Sequence, residues 1–120
     1  MNFEKLEVWK RSCQLSADIY TQLRELKDFG YKDQITRSSL SVPSNIAEGM
    51  VKPSAKEKVR YLHIANGSCA EMRTQTYIGM RIEYIPDLLG KQWLKEIKEI
   101  SAMLHGLIKS IEGAKLIADS

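Results

Sequence analysis

The side chains best suited to chemistry are two histidines, His63 and His105, two cysteines, Cys13 and Cys69, and the separate acids Glu48, Glu57 and Glu71. A zinc or di-iron centre between helices needs several ligands on facing helices, such as Glu-x-x-His pairs. Neither histidine has an acid at that spacing, and no H-E-x-x-H run is present. No metal or cofactor is therefore expected. The serines near residue 40 lie outside any G-x-S-x-G turn, and no G-x-x-x-x-G-K or G-x-G-x-x-G segment offers a phosphate cradle. A non-enzymatic protein is expected. The two thiols are far apart, in a chain without a secretory signal, and read as reduced side chains.

Charge gives the positive signal. Residues 52–60, K-P-S-A-K-E-K-V-R, hold four basic residues and one acid. Of the 18 basic and 15 acidic residues in the chain, 14 of each sign lie elsewhere and cancel, so the net charge of +3 resides in this one segment. Basic residues gathered on one face bind nucleic acid by neutralising phosphates, and helix N-termini favour anions. Lys52, Lys56, Lys58 and Arg60 are the primary candidates. Arg37, Arg73 and Arg81 either extend that surface or pair with Glu48 and Glu71 inside the fold.

These residues need elements to hold them. A hydrophobic fraction of 43% and a charged fraction of 28% are those of an ordinary globular protein, and three prolines with seven glycines are too few for many hairpins. No apolar run approaches the roughly 18 residues needed to cross a membrane. With no signal peptide in the acid-bearing N-terminus, a cytoplasmic protein is expected. Apolar periodicity predicts four helices, over about 6–24, 31–50, 55–83 and 88–116, with Gly30 supplying a turn after the first.

The second helix has an unusual stretch, residues 39–50, S-L-S-V-P-S-N-I-A-E-G-M. Val42, Ile46 and Met50 stay in phase through Pro43, which predicts one kinked helix rather than two short ones. Its small residues predict close packing, as does A-N-G-S-C-A at residues 65–70 in the third helix, where Gly67 and Gly79 would otherwise cost stability. Ser54-x-x-Glu57 is a capping box for the third helix, and Asp87 a cap for the fourth. In the fourth, Trp93, Ile97, Ile100, Leu104, Leu107, Ile111 and Ala114 form the most regular seam. The expected fold is all-α, an antiparallel up-down-up-down four-helix bundle forming one domain over 1–120.

L-E-V-W at residues 6–9, G-Y-K-D-Q-I-T-R-S-S at 30–39 and S-V-P-S-N-I-A-E-G at 41–49 resemble a known family. So do Ser54 and Glu57, Y-L-H-I-A-N-G-S at 61–68, and Glu71. Together they are similar to the small bacterial four-helix-bundle proteins encoded by intervening sequences in large-subunit ribosomal RNA genes. More distantly the chain resembles the accessory proteins of diversity-generating retroelements, which bind reverse transcriptase and nucleic acid. The resemblance implies a ring-shaped homopentamer. It marks Arg37, Pro43, Asn45, Glu48, Gly49, Ser54, Glu57 and Glu71 as motif positions of structural rather than catalytic character. Ser38-Ser39 stands where the family pattern would have an arginine and an alanine.

The expected function is a nucleic-acid-binding module (RNA or DNA) that repeats a modest basic patch around a ring. The alternative is a homo-oligomeric scaffold for a protein partner such as a reverse transcriptase. Its signature would be exposed apolar groups, for which Tyr77, Tyr84, Trp93 and Ile117 are candidates.

Overall fold

The computed structural model describes residues 2–119. Its helices are α1 (Glu7–Gln22), α2 (Phe29–Met50), α3 (Ala55–Arg81) and α4 (Asp87–Asp119), preceded by a short 3-10 turn at Phe3–Lys5. Contacts between helices give the topology. Ser16 meets Ser39, Ser41 meets Ser68, and Ser101 meets Asn66, while Arg11 meets Glu96 and Glu99. Each neighbouring pair runs antiparallel, so the chain is an all-α, up-down-up-down four-helix bundle. Among the described residues, no helix is long and apolar enough to cross a membrane.

The core follows the expected stripes. Leu15 and Ile19 from α1, Ile35, Val42 and Ile46 from α2, Leu62, Ala65 and Met72 from α3, and Trp93, Ile97, Ile100 and Leu104 from α4 are buried together. Free Cys69 lies among them, and burial pushes its thiol up to about 12; Cys13 is also free. Trp93 is thus a core residue, only 4% exposed, and does not contribute to an outer patch.

α2 runs unbroken through Pro43, which is itself buried. Proline lacks the N–H that would bond the Ser39 carbonyl one turn back. Small side chains nearby make polar contacts of their own. Ser39 Oγ donates to Thr36 O (2.8 Å) and shares a bond with Ser16 Oγ of α1 (2.9 Å). On the α3 side, Asn45 Nδ2 donates to Ser41 O and Oγ, and Ser41 Oγ shares a 2.8 Å bond with Ser68 Oγ.

Several boundaries differ from the sequence expectation. α2 begins two residues early because Asp28 is its N-cap, accepting from the Tyr31 N–H at 3.1 Å. Gly30 therefore lies in the first turn of the helix, not in the loop. The second Asp28 oxygen accepts from Tyr84 Oη at 2.8 Å, tying the α3–α4 turn to the start of α2. α3 stops at Arg81 because Glu83 takes a left-handed conformation (φ 63°). Glu83 N–H then bonds Met80 O and Tyr84 N–H bonds Gly79 O, the paired bonds of a Schellman stop. Asp87 is the first residue of α4 rather than its cap, placing a carboxylate at the positive end of the helix. Of the predicted α4 seam, Leu107 and Ile111 are only half-buried and Ala114 is exposed, whereas Ile108 enters the core. The last turns of this 33-residue helix outrun the shorter helices beside them.

α1 and α4 meet least intimately, and an ion cluster bridges them. The Arg11 guanidinium donates to Glu96 through both Nε (3.0 Å) and Nη2, and through Nη2 to Glu99 at 2.7 Å. The sequence pattern places all three on solvated positions, because heptad-type spacing does not distinguish a flanking position from an outer one. Arg11 holds the Glu99 carboxyl below its ordinary value of 4.5, through the hydrogen bond first and charge second.

Substitutions at two glycines test this packing. A Cβ at Gly49 would lie 2.7 Å from Tyr61 Cβ and 3.1 Å from the Lys58 carbonyl, so Gly49→Ala should destabilise by about 1–3 kcal/mol. Gly67, expected from the sequence to mark a close contact, is exposed with open space around it. Gly67→Ala should stabilise by up to about 1 kcal/mol through helix propensity alone. Urea denaturation reads both, and equal effects of the two substitutions would contradict the packing described. The ion cluster makes a prediction about pH. A carboxylate depressed by folding contributes stability that is in place above its unfolded pKa and lost as pH falls through the folded one. Arg11→Met should lower the denaturation midpoint at pH 7, and the gap to the native chain should close as pH falls well below 4.5. A gap that stays constant down to pH 3 would show that Arg11 acts through packing alone.

Candidate nucleic-acid interface

The α2–α3 turn is short and tightly held. α2 ends at Met50, Val51 closes it through its N–H on Ala47 O, and Ser54 caps α3 by accepting from the Glu57 N–H at 3.2 Å. This is the backbone half of the expected capping box. Gly49 lets the first turn of α3 come down onto the last turn of α2.

Within this frame the four basic residues of the turn have different fates. Lys58 is committed to the fold: its Nζ donates to Met50 O at 2.9 Å, satisfying a carbonyl at the negative end of α2. Lys52 pairs with Glu48 one turn back at 3.2 Å, which raises the Lys52 pKa, and its Nζ lies 5.2 Å from the centre of the Tyr61 ring. The Arg60 guanidinium approaches the same ring at 5.5 Å. Lys56 is exposed and lines a groove with Val59, Glu112 and Lys115 near the end of α4. Lys52 and Arg60 therefore flank one aromatic ring, that of Tyr61, and Lys56 lies one helical turn before Arg60 on the α4 side. Sequence reasoning alone does not single out Tyr61, although a tyrosine directly after a basic run is the visible signal.

The other three candidates do not join this cluster. Arg37 lies on the outer face of α2 and bonds both carboxylate oxygens of Asp33 through Nε at 3.0 and 2.9 Å. It does not pair with Glu48, which holds Lys52 instead. Arg73 and Arg81 are exposed on α3, as is Glu71, so the expected pairing inside the bundle is not formed. At 1.5 Å per residue, Arg81 lies about 30 Å along the helix from Arg60. Arg81 borders instead a shallow groove with Thr74, Tyr77 and Ile78, next to exposed Ile82. Of the residues expected to form an apolar patch, Tyr77 and Ile117 are exposed, while Tyr84 is half-buried with its hydroxyl on Asp28.

Asn66 ties α3 to α4: Ser101 Oγ donates to its Oδ1 at 2.6 Å, and its Nδ2 lies 3.3 Å from Nε2 of His105. His63 is exposed. Among the described residues no three His, Cys, Asp or Glu side chains are grouped so as to hold a metal ion.

The segments that bear the resemblance are thus largely packing devices. Of P-S-N-I-A-E-G, Gly49 admits α3, Asn45 braces Ser41, which meets α3, and Pro43 is buried within α2; Ala65 of I-A-N-G-S is in the core, and Asn66 and Ser68 meet α4 and α2. No curated protein sequence matches the chain. The fold is shared with a crystal structure from Bacteroides thetaiotaomicron, a protein of unknown function from the S23 ribosomal protein family. The two are 28% identical with a TM-score of 0.80, and the match covers 85% of this chain and 98% of that one. The family model for the 23S rRNA-intervening sequence protein matches residues 4–106, everything but the first residues and the last turns of α4. The chain belongs to the 23S rRNA-intervening sequence protein family.

Proposed function

We propose that this protein is a non-enzymatic, cytoplasmic nucleic-acid-binding module that works as a ring-shaped homopentamer. The observation that carries the reading is the cluster at the α2–α3 turn. The segment that holds all of the net charge brings Lys52 and Arg60 to the Tyr61 ring at two adjoining helix ends, with exposed Lys56 one turn before Arg60. A fixed cluster of cations meets phosphates without first losing side-chain and loop freedom. The family name ties these proteins to ribosomal RNA genes, which favours RNA as the ligand. Three cations in one chain bind phosphate weakly; five copies on one face of a ring bind with avidity.

A second reading has its own support. Tyr77, Ile78 and Ile82 leave an apolar strip on the outer face of α3, at the end of the bundle away from the basic turn. That strip suits a seam between ring neighbours or the docking of a protein partner such as a reverse transcriptase.

Binding of a short RNA at several salt concentrations tests the main reading. The logarithm of affinity should fall linearly with the logarithm of salt. The Lys56→Ala/Arg60→Ala variant should flatten the slope by about one for each phosphate it no longer neutralises. Both residues lie on the surface, so the variant should fold normally. Binding that is absent, or indifferent to salt and to this variant, would shift the reading to a protein partner.

A further inference from the structure

At the opposite end of α2 from the basic turn, a groove of about 700 Å³ opens between the end of α1 and the first turns of α2. Its lining includes Tyr20, Arg24, Phe29, Lys32, Asp33 and Thr36, and its walls are mainly apolar. Phe29 is 69% exposed and Tyr20 44%, unusual exposure for two aromatic rings facing one groove. The flanking charges are basic. Lys32 Nζ lies 4.9 Å from the centre of the Phe29 ring and, among the described residues, bonds only the Arg24 carbonyl, at 3.2 Å. Arg24 has no ion-pair partner among the described residues. The one acid in the lining, Asp33, has both oxygens engaged by Arg37. Asp28, beside the groove, accepts from the Tyr31 N–H and the Tyr84 hydroxyl, which hold it in place at the α2 N-terminus and keep it charged; it forms no ion pair among the described residues.

Exposed aromatic faces beside two cations that form no ion pair among the described residues fit a ligand that is itself a flat ring carrying a phosphate. We infer that this groove holds one unpaired nucleotide, its base stacked on Phe29 and Tyr20 and its phosphate met by Arg24 and Lys32. An apolar protein segment fits less well, because it would desolvate Arg24 and Lys32 without giving them a partner. A duplex fits less well too, since its bases are stacked on one another and present only edges. This inference rests on the nucleic-acid reading above and assigns it a second contact, selective for single strands. Stacking on aromatic side chains is the usual means of holding unpaired bases with little regard to sequence.

The test uses the full chain with three probes: adenosine monophosphate, a short oligoadenylate, and an RNA duplex of the same length. Phe29→Ala should weaken oligoadenylate binding about tenfold and leave duplex binding unchanged. Arg24→Met, which keeps the groove wall and removes the charge, should weaken oligoadenylate several-fold. Both side chains are exposed and carry no core contact, so the variants should fold as the native chain does. Adenosine monophosphate that shifts the amide resonances of Gly30 and Lys32 would show that a free nucleotide suffices. Shifts seen only with oligoadenylate would show that the nucleotide is taken as part of a strand. Salt-sensitive RNA binding that ignores Phe29→Ala would overturn the groove and leave the basic turn standing. Adenosine monophosphate binding with no polymer binding at all would support the groove and overturn the nucleic-acid reading instead.

Discussion

The close approach of α2 to α3 sets the geometry of the whole bundle. It is made possible by small residues on the α3 side of α2: Ser41 and Gly49 stand where larger side chains would hold the helices apart, as Ser39 does on the α1 side. Gly49 is the tightest point, with room for no Cβ against Tyr61 and the Lys58 carbonyl. Hydrogen bonds such as Ser16–Ser39 and Ser41–Ser68 then fix the register of α2 against α1 on one side and α3 on the other. Apolar packing alone tolerates sliding by a turn, whereas a buried hydroxyl left without its partner is costly. Pro43 fits this scheme, because the backbone bond it removes lies in a stretch already rich in local polar contacts.

The same close approach decides what the charges can do. It brings the start of α3 onto the end of α2, and Lys58 is consumed in capping the exposed carbonyls there. Lys52 is drawn toward Glu48, and both Lys52 and Arg60 are steered to one tyrosine ring. A segment that looks strongly basic in one dimension thus offers a smaller but better-defined surface in three. At physiological salt, where exposed charges are screened beyond about 8 Å, so small a surface on one chain would hold phosphate only weakly. Repetition around the proposed ring would supply what a single chain lacks, and this is why the assembly is central to the functional reading.

Much of the fold is legible in the sequence because periodic apolar residues report burial directly. The stripes of α1, α2 and α3 and the unbroken passage through Pro43 all appear in the structure. The misreadings share a physical origin: composition marks a feature without saying which way it faces. Gly67 looks like a contact residue, but only Gly49, Gly79 and Gly90 have neighbours that would clash with a side chain. Gly30 looks like a turn until Asp28 is recognised as a cap. Arg11, Glu96 and Glu99 look solvated because the spacing that joins them runs between helices, not along one. Of the candidate site, the basic turn is visible as charge, but the partners that divide its residues into engaged and available ones are not. The groove at Phe29 is invisible for a similar reason, since its two aromatic rings come from different helices on either side of a loop.

Light scattering at low salt, without nucleic acid, gives the mass of the chain in solution and bears on the functional reading before any ligand is known. Five chains per particle are expected, stable across protein concentrations, because the proposed binding surface is effective only when repeated. A particle of one chain at every concentration would contradict the ring, leaving Lys52, Lys56 and Arg60 on an ordinary solvated turn.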